Sequence, residues 1–185
     1  MSTTNGVRLS GKGKGWPHWT TPKSVLDVVR EVGPIHLDPC SNEASQVFAL
    51  RNWQSEGLIL EWAPIAAGGL AFVNPPYSLT KAFVEKVILE AALGTEVILL
   101  VAARTDTQWA HKALRSADSL CFWEGRIRFE NPPPDSLGDA PSIPSAFYYW
   151  GRNHRLFMKT LQPHGFCIDL RRNRERRTFP VEAQP

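Results

Sequence analysis

Four consecutive residues, Asn74-Pro75-Pro76-Tyr77, combine groups that can hold and activate an amine on a planar ring. The exocyclic N6 amine of adenine is a poor nucleophile because its lone pair is delocalised into the ring. The Asn74 side-chain oxygen and the Pro75 carbonyl, to which the following proline cannot donate, offer two acceptors for the two amine protons. Two acceptors localise the lone pair, and Tyr77 can stack on the base. The tetrapeptide therefore predicts chemistry at the amine of a base. A rigid turn with Asn74 as a local cap is the alternative.

The elements that must position this tetrapeptide alternate between buried strands and amphipathic helices. An apolar run at residues 70–73 predicts a strand that ends at Asn74, and similar runs predict strands at residues 35–37 and 97–102. Because strands alternate with helices here, we expect a parallel sheet covered by helices on both faces. Ligand sites of such sheets lie at the carboxyl ends of the strands, where the tetrapeptide falls.

Helix starts and the end of the sheet follow from local signals. Thr21, Ser78 and Thr105 are expected to cap helices, with Pro22 at the first helical position. Beyond residue 119 no long helix is expected between the strands, so the sheet is predicted to finish in antiparallel strands, at residues 120–123, 127–129 and 146–150. A Pro-rich stretch at residues 131–145 is expected to be a loop.

Length and composition favour one ordinary domain. The chain has 185 residues, of which 43% are hydrophobic and 21% charged. No apolar run reaches the roughly 20 residues that span a bilayer, and no apolar signal segment is present at the N-terminus, so we expect a cytoplasmic protein without membrane contact. The cysteines Cys40, Cys121 and Cys167 lie far apart, which argues against a disulfide framework and against structural zinc. The oligomeric state is not indicated.

The charges are distributed unevenly along the chain. Residues 1–30 carry five Lys or Arg and one Asp, and residues 151–185 carry eight Lys or Arg and three acids. Residues 31–150 carry eight basic and fourteen acidic residues. Basic ends suit contact with a phosphate backbone, although solvated tails explain them as well. We expect a flexible arm at residues 1–15, a single domain at 16–170 and a basic tail at 171–185.

Six segments, taken together and in order, are similar to the phage-type DNA N6-adenine methyltransferases, the Dam family of phages and prophages. The tetrapeptide resembles the [DNS]PP[YFW] signature of amino-group methyltransferases. The resemblance covers about residues 16–150, in the segments Trp19-Thr20-Thr21-Pro22, Leu37-Asp38-Pro39-Cys40-Ser41, Gly57-Leu58 with Trp62, Asn74-Pro75-Pro76-Tyr77-Ser78, Thr105-Asp106-Thr107-Gln108-Trp109 and Gly125-Arg126-Ile127-Arg128-Phe129.

This resemblance implies a three-layer α/β Rossmann-like methyltransferase fold and a site-specific, adenine-specific DNA methyltransferase. Its cofactor would be S-adenosylmethionine, its partner double-stranded DNA, and no metal is required. The target base would be flipped out of the duplex to reach Tyr77. The implied catalytic residues are Asn74, Pro75, Pro76 and Tyr77.

The resemblance also implies which residues contact the cofactor. Asp38 ends the first core strand, and Cys40 takes a place where related loops often carry glycine. The alternatives are a helix cap for Asp38, a simple helix start for each Thr, and a surface charge for Glu56. The predicted cofactor residues are Thr20, Thr21, Pro22, Asp38, Pro39, Cys40, Glu56 and Asn74. Trp53 and Trp62 are expected to belong to the core.

DNA contacts are expected from exposed polar and basic residues. Arg126 and Arg128 alternate with apolar residues, which is typical of a half-buried strand with two cations on one side. A solvated face explains that pattern equally. Asp106 is either a charge favoured at a helix N-terminus or part of the base pocket. The predicted DNA-binding residues are Ser78, Arg104, Arg126, Arg128, Arg171 and Arg172.

Other functions share part of this pattern. Methyltransferases that act on RNA or on a protein glutamine carry the same tetrapeptide, but usually with a glycine-rich Asp-x-Gly-x-Gly loop that this sequence lacks. A catalytically decayed, DNA-binding relative is a further alternative. Intact Asn74, Tyr77 and Asp38 argue against it. The recognition sequence is not indicated, and residues 130–144 and the basic tail are the candidate recognition elements.

Overall fold

The structure is a computed structural model that describes residues 19–130 and 144–172. The predicted arm at residues 1–15, most of the predicted loop at 131–145 and the predicted tail from residue 173 onward lie outside the described residues. Within these ranges, no helix has the length and apolar character needed to cross a membrane.

A seven-stranded sheet forms the middle layer of the described chain. Its strands lie in the spatial order β2-β1-β3-β4-β6-β5-β7. Strands β1 to β4 pair in parallel, whereas β6 runs antiparallel to β4 and β5, and β7 runs antiparallel to β5. The prediction of a mostly parallel sheet that finishes in antiparallel strands is confirmed. The strands are β1 Ile35–Asp38, β2 Arg51–Asn52, β3 Leu70–Val73, β4 Val97–Ala102, β5 Ser119–Trp123, β6 Ser145–Trp150 and β7 Gly165–Asp169.

Helices cover both faces of the sheet, which makes the fold a three-layer, Rossmann-like α/β fold. Alternate residues of a strand face opposite layers, so β3 places Leu70 and Phe72 towards one face and Ala71 and Val73 towards the other. Helices α1 and α5 pack on the first face, and α3 and α4 pack on the second. The helices are α1 Lys23–Val32, α2 Ala63–Ala66, α3 Thr80–Ala92, α4 Gln108–Ser116 and α5 His154–Leu161.

The predicted helix caps are wrong by one or two residues each. Helix α1 starts after Pro22, whose carbonyl accepts the first helical bonds, so Thr21 is not its cap. Ser78 lies in a short 3₁₀ helix, Tyr77–Leu79, and caps nothing. Helix α4 is capped by Thr107, whose hydroxyl accepts from the Ala110 N–H at 3.3 Å, and not by Thr105. Helices α1 and α3 start after Pro22 and Leu79 without a side-chain cap, so a hydroxyl residue near a helix start is not sufficient to predict the cap.

In the C-terminal part, one predicted strand is not formed, and two elements of the structure were not predicted. Residues 127–129 do not form a strand, because only Glu130 reaches a neighbour, in an isolated bridge with Thr20. Helix α5 and strand β7 were missed. Helix α5 buries only His154, Phe157 and Leu161, too short an apolar stripe to stand out in the sequence.

Strands β1 to β4 and β5 all end at one edge of the sheet, here called the carboxyl edge, because their pairings give them one direction. The residues that follow β1, β3, β4 and β5 therefore meet at this edge. The opposite edge receives the end of β7, since that strand runs the other way.

Candidate active site

The Asn74-Pro75-Pro76-Tyr77 turn leaves β3 at the carboxyl edge. Pro75 is buried, whereas Tyr77 is 55% exposed. The Pro76 carbonyl accepts from the Leu79 N–H at 2.9 Å, which ties the turn to the following 3₁₀ helix. Among the residues that the structure describes, none donates to the Pro75 carbonyl or to the Asn74 Oδ1 atom. Two acceptors are thus available beside an accessible aromatic ring.

The Asn74 side chain is held by a residue from a distant part of the chain. Its Nδ2 atom donates to the Thr21 Oγ1 atom at 3.0 Å, across 53 residues of sequence. Thr21 is 3% exposed and is bordered by Thr20, whose backbone pairs in both directions with Glu130 at 2.8 and 2.9 Å. This contact directs the amide nitrogen inwards and leaves the amide oxygen for other partners.

A buried carboxylate lies at the end of the neighbouring strand β1. Asp38 is 4% exposed, and its two oxygens accept from the Cys40 backbone N–H and the Ser45 hydroxyl, each at 3.2 Å. Burial raises the pKa of Asp38 from 3.8 to about 6, and these hydrogen bonds oppose the rise. The pKa of the Cys40 thiol is also raised, first by burial and then by the charge of Asp38. The negative charge of Asp38 is therefore poorly stabilised by its buried surroundings, and a cationic partner would stabilise it.

Two backbone hydrogen bonds and one close backbone contact fix the turn that follows Asp38. The Trp53 N–H donates to the Asp38 carbonyl, and the Ser41 N–H donates to the Trp53 carbonyl, both at 2.9 Å. Gly57 lies so close to Pro39 that a Cβ atom there would be 1.7 Å from the Pro39 carbonyl oxygen. Only glycine permits this approach, and it sets the position of the turn that follows Asp38.

The two tryptophans predicted to belong to the core differ in burial. Trp62 is fully buried and donates from its indole nitrogen to the Gly57 carbonyl at 2.8 Å, so that prediction is confirmed. Trp53 is partly buried and packs against the same cluster.

Residues from three segments of the chain enclose a small cavity at the carboxyl edge. The cavity measures about 20 Å³, roughly the room of one water molecule, which suits a small group such as an ammonium or a methyl group. The lining residues that carry polar groups suited to a ligand are Thr20, Thr21, Asp38, Cys40, Ser45 and Asn74. The structure thus brings together five of the eight predicted cofactor residues, with Pro22 and Pro39 adjacent in the chain.

Glu56 and Ser78 lie outside this cluster. Glu56 is exposed at the start of the 3₁₀ helix Glu56–Leu58, and its carboxylate accepts from the Ser55 N–H at 3.0 Å. That hydrogen bond lowers the pKa of Glu56. Ser78 is exposed next to Tyr77. Ser45, in contrast, was not predicted, because nothing in the sequence marks a loop serine seven residues beyond Asp38 as its partner.

Three of the predicted DNA-binding arginines follow strands that end at the carboxyl edge. Arg104 follows β4 and lies close enough to Tyr77 for its charge to oppose the rise in the pKa of Tyr77 that burial causes. Arg126 and Arg128 follow β5, and both are exposed while Ile127 between them is buried. The bridge between Glu130 and Thr20 ties this segment to the site. Exposed and buried residues therefore alternate from Arg126 to Arg128 as predicted, although this segment does not form a strand.

Arg171 and Arg172 lie at the opposite edge of the sheet. They follow β7, whose last residue, Asp169, is paired with Ser119 at the beginning of β5. The Arg171 guanidinium also forms an ion pair with Asp169 at 3.4 Å. The structure does not bring these two arginines to the edge that carries the tetrapeptide, and their contact with DNA stays a prediction.

A larger cavity, of about 860 Å³, also lies at the opposite edge, between Ala66, Gly94, Glu96 and Arg152. It contains none of the residues that the sequence singles out, and ligand sites of open α/β sheets lie at carboxyl ends, so the smaller cavity is the better candidate. Over residues 19–130 and 144–172, no three His, Cys, Asp or Glu side chains lie close enough together to hold a metal ion.

A sheet of this order, with helices on both faces and an Asn-Pro-Pro-Tyr turn beside a buried aspartate at its carboxyl edge, belongs to the Rossmann-like class of α/β folds. The DNA N-6-adenine-methyltransferase (Dam) family matches residues 14–147, and the chain belongs to this family. A "DNA N-6-adenine-methyltransferase" of Escherichia phage T1 is 24% identical over 110 residues, which are 59% of this chain and 45% of the phage protein. The chain thus spans less than half the length of that relative.

Proposed function

We propose that this protein transfers a methyl group from S-adenosylmethionine to the N6 amine of adenine in double-stranded DNA. The observation that carries the proposal is the pair of available acceptors, Asn74 Oδ1 and the Pro75 carbonyl, beside the exposed ring of Tyr77. Family membership and the phage relative support the same activity.

The turn accounts for the activation of the amine. The two acceptors take one hydrogen bond each from the amine, which removes the lone pair from the ring and directs it away from the turn. The two prolines restrict the backbone, so the acceptors need little reorganisation when the base arrives. Tyr77 offers an accessible face on which a flipped base can stack. Once the amine has become cationic, its proton can leave to water, so no strong general base is needed.

The residues beside the turn fit the cofactor in their chemistry. When bound, S-adenosylmethionine supplies an electrophilic methyl group on a positively charged sulfur. Asp38 is a buried carboxylate whose raised pKa leaves it in need of a cation, which the ammonium and sulfonium groups provide. Thr20, Thr21 and Asn74 border the same cavity, so we propose that they lie against the polar end of the cofactor while Asp38 supplies most of the attraction. Pro22, Pro39, Cys40 and Glu56 are proposed to complete the contacts.

The duplex is proposed to approach the carboxyl edge. Arg104, Arg126 and Arg128 are exposed there and would contact phosphates, and Ser78 would contact the strand beside Tyr77. Backbone contacts of this kind position the duplex and carry no sequence information.

The test is incubation of varied duplex DNA with labelled S-adenosylmethionine, followed by mapping of N6-methyladenine. We expect label in adenine. The control is Asn74→Ala, which should abolish most turnover while it changes cofactor affinity by no more than a few-fold. Near-normal turnover in that variant contradicts the role of Asn74. Label in RNA or in protein glutamine, with none in DNA, identifies a different substrate, and cofactor binding with no transfer at all contradicts the proposed activity.

A further inference from the structure

We propose that Thr21 is a positioning residue whose hydroxyl holds the Asn74 side chain in place, with the amide nitrogen directed towards Thr21. The proposal rests on the proposed function, since it assigns the way in which the catalytic amide is aligned. The sequence places Thr21 at a helix start or beside the cofactor. The hydrogen bond between Asn74 Nδ2 and Thr21 Oγ1, 3.0 Å long, gives it a different partner.

The amide of asparagine needs such a partner because its two ends have nearly the same shape and opposite chemistry. The oxygen accepts hydrogen bonds, and the nitrogen donates them. An amide that presents its nitrogen to the target amine would set two donors against each other. The Asn74 side chain has one hydrogen-bond partner among the described residues, and that partner receives the nitrogen. The oxygen is then the end that faces the substrate.

Thr21 is well suited to this role because its backbone, its side-chain rotamer and its neighbours in the chain are all restricted. The following Pro22 confines Thr21 to an extended backbone, and branching at Cβ restricts its side-chain rotamer. Its neighbour Thr20 is fixed by two backbone hydrogen bonds to Glu130, and the Pro22 carbonyl anchors helix α1. Thr21 is also 3% exposed, so water does not compete freely for its hydroxyl. The hydroxyl is therefore held in place before the substrate arrives.

The experiment compares Thr21→Val, which keeps the shape and removes the hydroxyl, with Thr21→Ser, which keeps the hydroxyl. We expect Thr21→Val to lower kcat about 10- to 100-fold, the range expected when a catalytic group is misplaced. Its affinity for S-adenosylmethionine should stay within about threefold, and Thr21→Ser should retain kcat within about threefold of the parent.

The matched control is Thr95→Val. Thr95 is 5% exposed, its hydroxyl has no hydrogen-bond partner in the described part of the chain, and it borders the cavity at the opposite edge. We expect kcat of this variant to equal that of the parent. The control separates the loss of one specific hydroxyl from the general effect of a buried Thr→Val change.

A second measurement is independent of activity. The side-chain amide protons of Asn74 are assigned in NMR spectra by their absence from Asn74→Ala. In the parent and in Thr21→Ser, we expect one of them to exchange slowly with solvent, and in Thr21→Val we expect that protection to be lost. A structural role for Thr21 alone would leave this proton protected in a folded variant.

Three results overturn the proposal: unchanged kcat in Thr21→Val, a loss of cofactor affinity that accounts for the whole loss of activity, or an Asn74 amide that is equally protected in all variants. Failure of the proposed function is distinguishable, because the parent and Thr95→Val would then transfer no methyl group to DNA, whatever the Thr21 variants do.

Discussion

Replacement of Asp38 by Asn should stabilise the protein at neutral pH and weaken its affinity for the cofactor. Asp38→Asn keeps the size of the side chain and mimics the protonated carboxyl. The amide oxygen can still accept from the Cys40 N–H, and the amide nitrogen can donate to the Ser45 hydroxyl. The substitution therefore removes the buried charge and leaves both local hydrogen bonds.

The magnitude follows from the pKa of Asp38, which burial raises from 3.8 to about 6. The difference corresponds to roughly 3 kcal/mol at pH above both values, as an upper limit. Because the folded protein binds the proton more tightly, the contribution of Asp38 to stability is fully present below pH 3.8 and is lost as the pH rises through about 6. Asp38→Asn should thus raise the free energy of unfolding by about 1–3 kcal/mol at pH 7.5 and by much less at pH 4.5.

Cofactor binding should change in the opposite direction. In the proposed site the ionised carboxylate would attract the cationic groups of S-adenosylmethionine, so Asp38→Asn should weaken affinity at least about tenfold, or roughly 1.4 kcal/mol. In the parent, affinity should fall as the pH drops below about 6, where Asp38 becomes protonated. In Asp38→Asn this pH dependence should disappear.

The assays are urea unfolding and calorimetric titration with S-adenosylmethionine, each at pH 4.5, 6 and 7.5. Asp106→Asn, the same change at an exposed aspartate, controls for stability and should stay within about 0.5 kcal/mol of the parent. A destabilised Asp38→Asn at pH 7.5, or an increase that is equal at all three pH values, refutes the argument from burial. Unchanged affinity in a folded variant refutes the place of Asp38 in the cofactor site.

Three further substitutions test the site by different measurements. Tyr77→Ala should lower kcat/KM for DNA about 5- to 100-fold, because one base–aromatic stack contributes about 1–3 kcal/mol, whereas Tyr77→Phe should stay close to the parent. The double variant Arg126→Gln, Arg128→Gln should make the slope of log affinity against log salt shallower by about two on duplex DNA, and an unchanged slope would exclude phosphate contacts there. Gly57→Ala should lower both Tm and cofactor affinity, because its Cβ would lie 1.7 Å from a backbone carbonyl oxygen; a variant as stable as the parent would contradict that geometry.

The comparison of Arg126 and Arg128 with Arg171 and Arg172 separates local pattern from topology. All four are basic residues near apolar strands, and the sequence assigns them the same role. The structure places the first pair at the carboxyl edge and the second pair at the opposite edge. The direction of β7 decides this, and it depends on pairing with β5 more than forty residues earlier, which no local pattern encodes.

The sequence alone determined the strand that carries the Asn-Pro-Pro-Tyr turn, the end of that strand at Asn74 and the strand–helix alternation of the parallel part of the sheet. These features depend on local sequence. A continuous apolar run indicates a strand that is buried on both faces, and a pair of prolines ends a strand in any fold. Only the tertiary structure decided which distant groups meet at the turn. Thr21 contacts Asn74 across 53 residues, and Ser45 contacts Asp38 from a loop. The burial that raises the pKa of Asp38 comes likewise from segments packed around it. Contacts of this kind depend on how strands are ordered and how loops pack over their ends, so the residue types of the candidate site could be read from the sequence while their alignment could not.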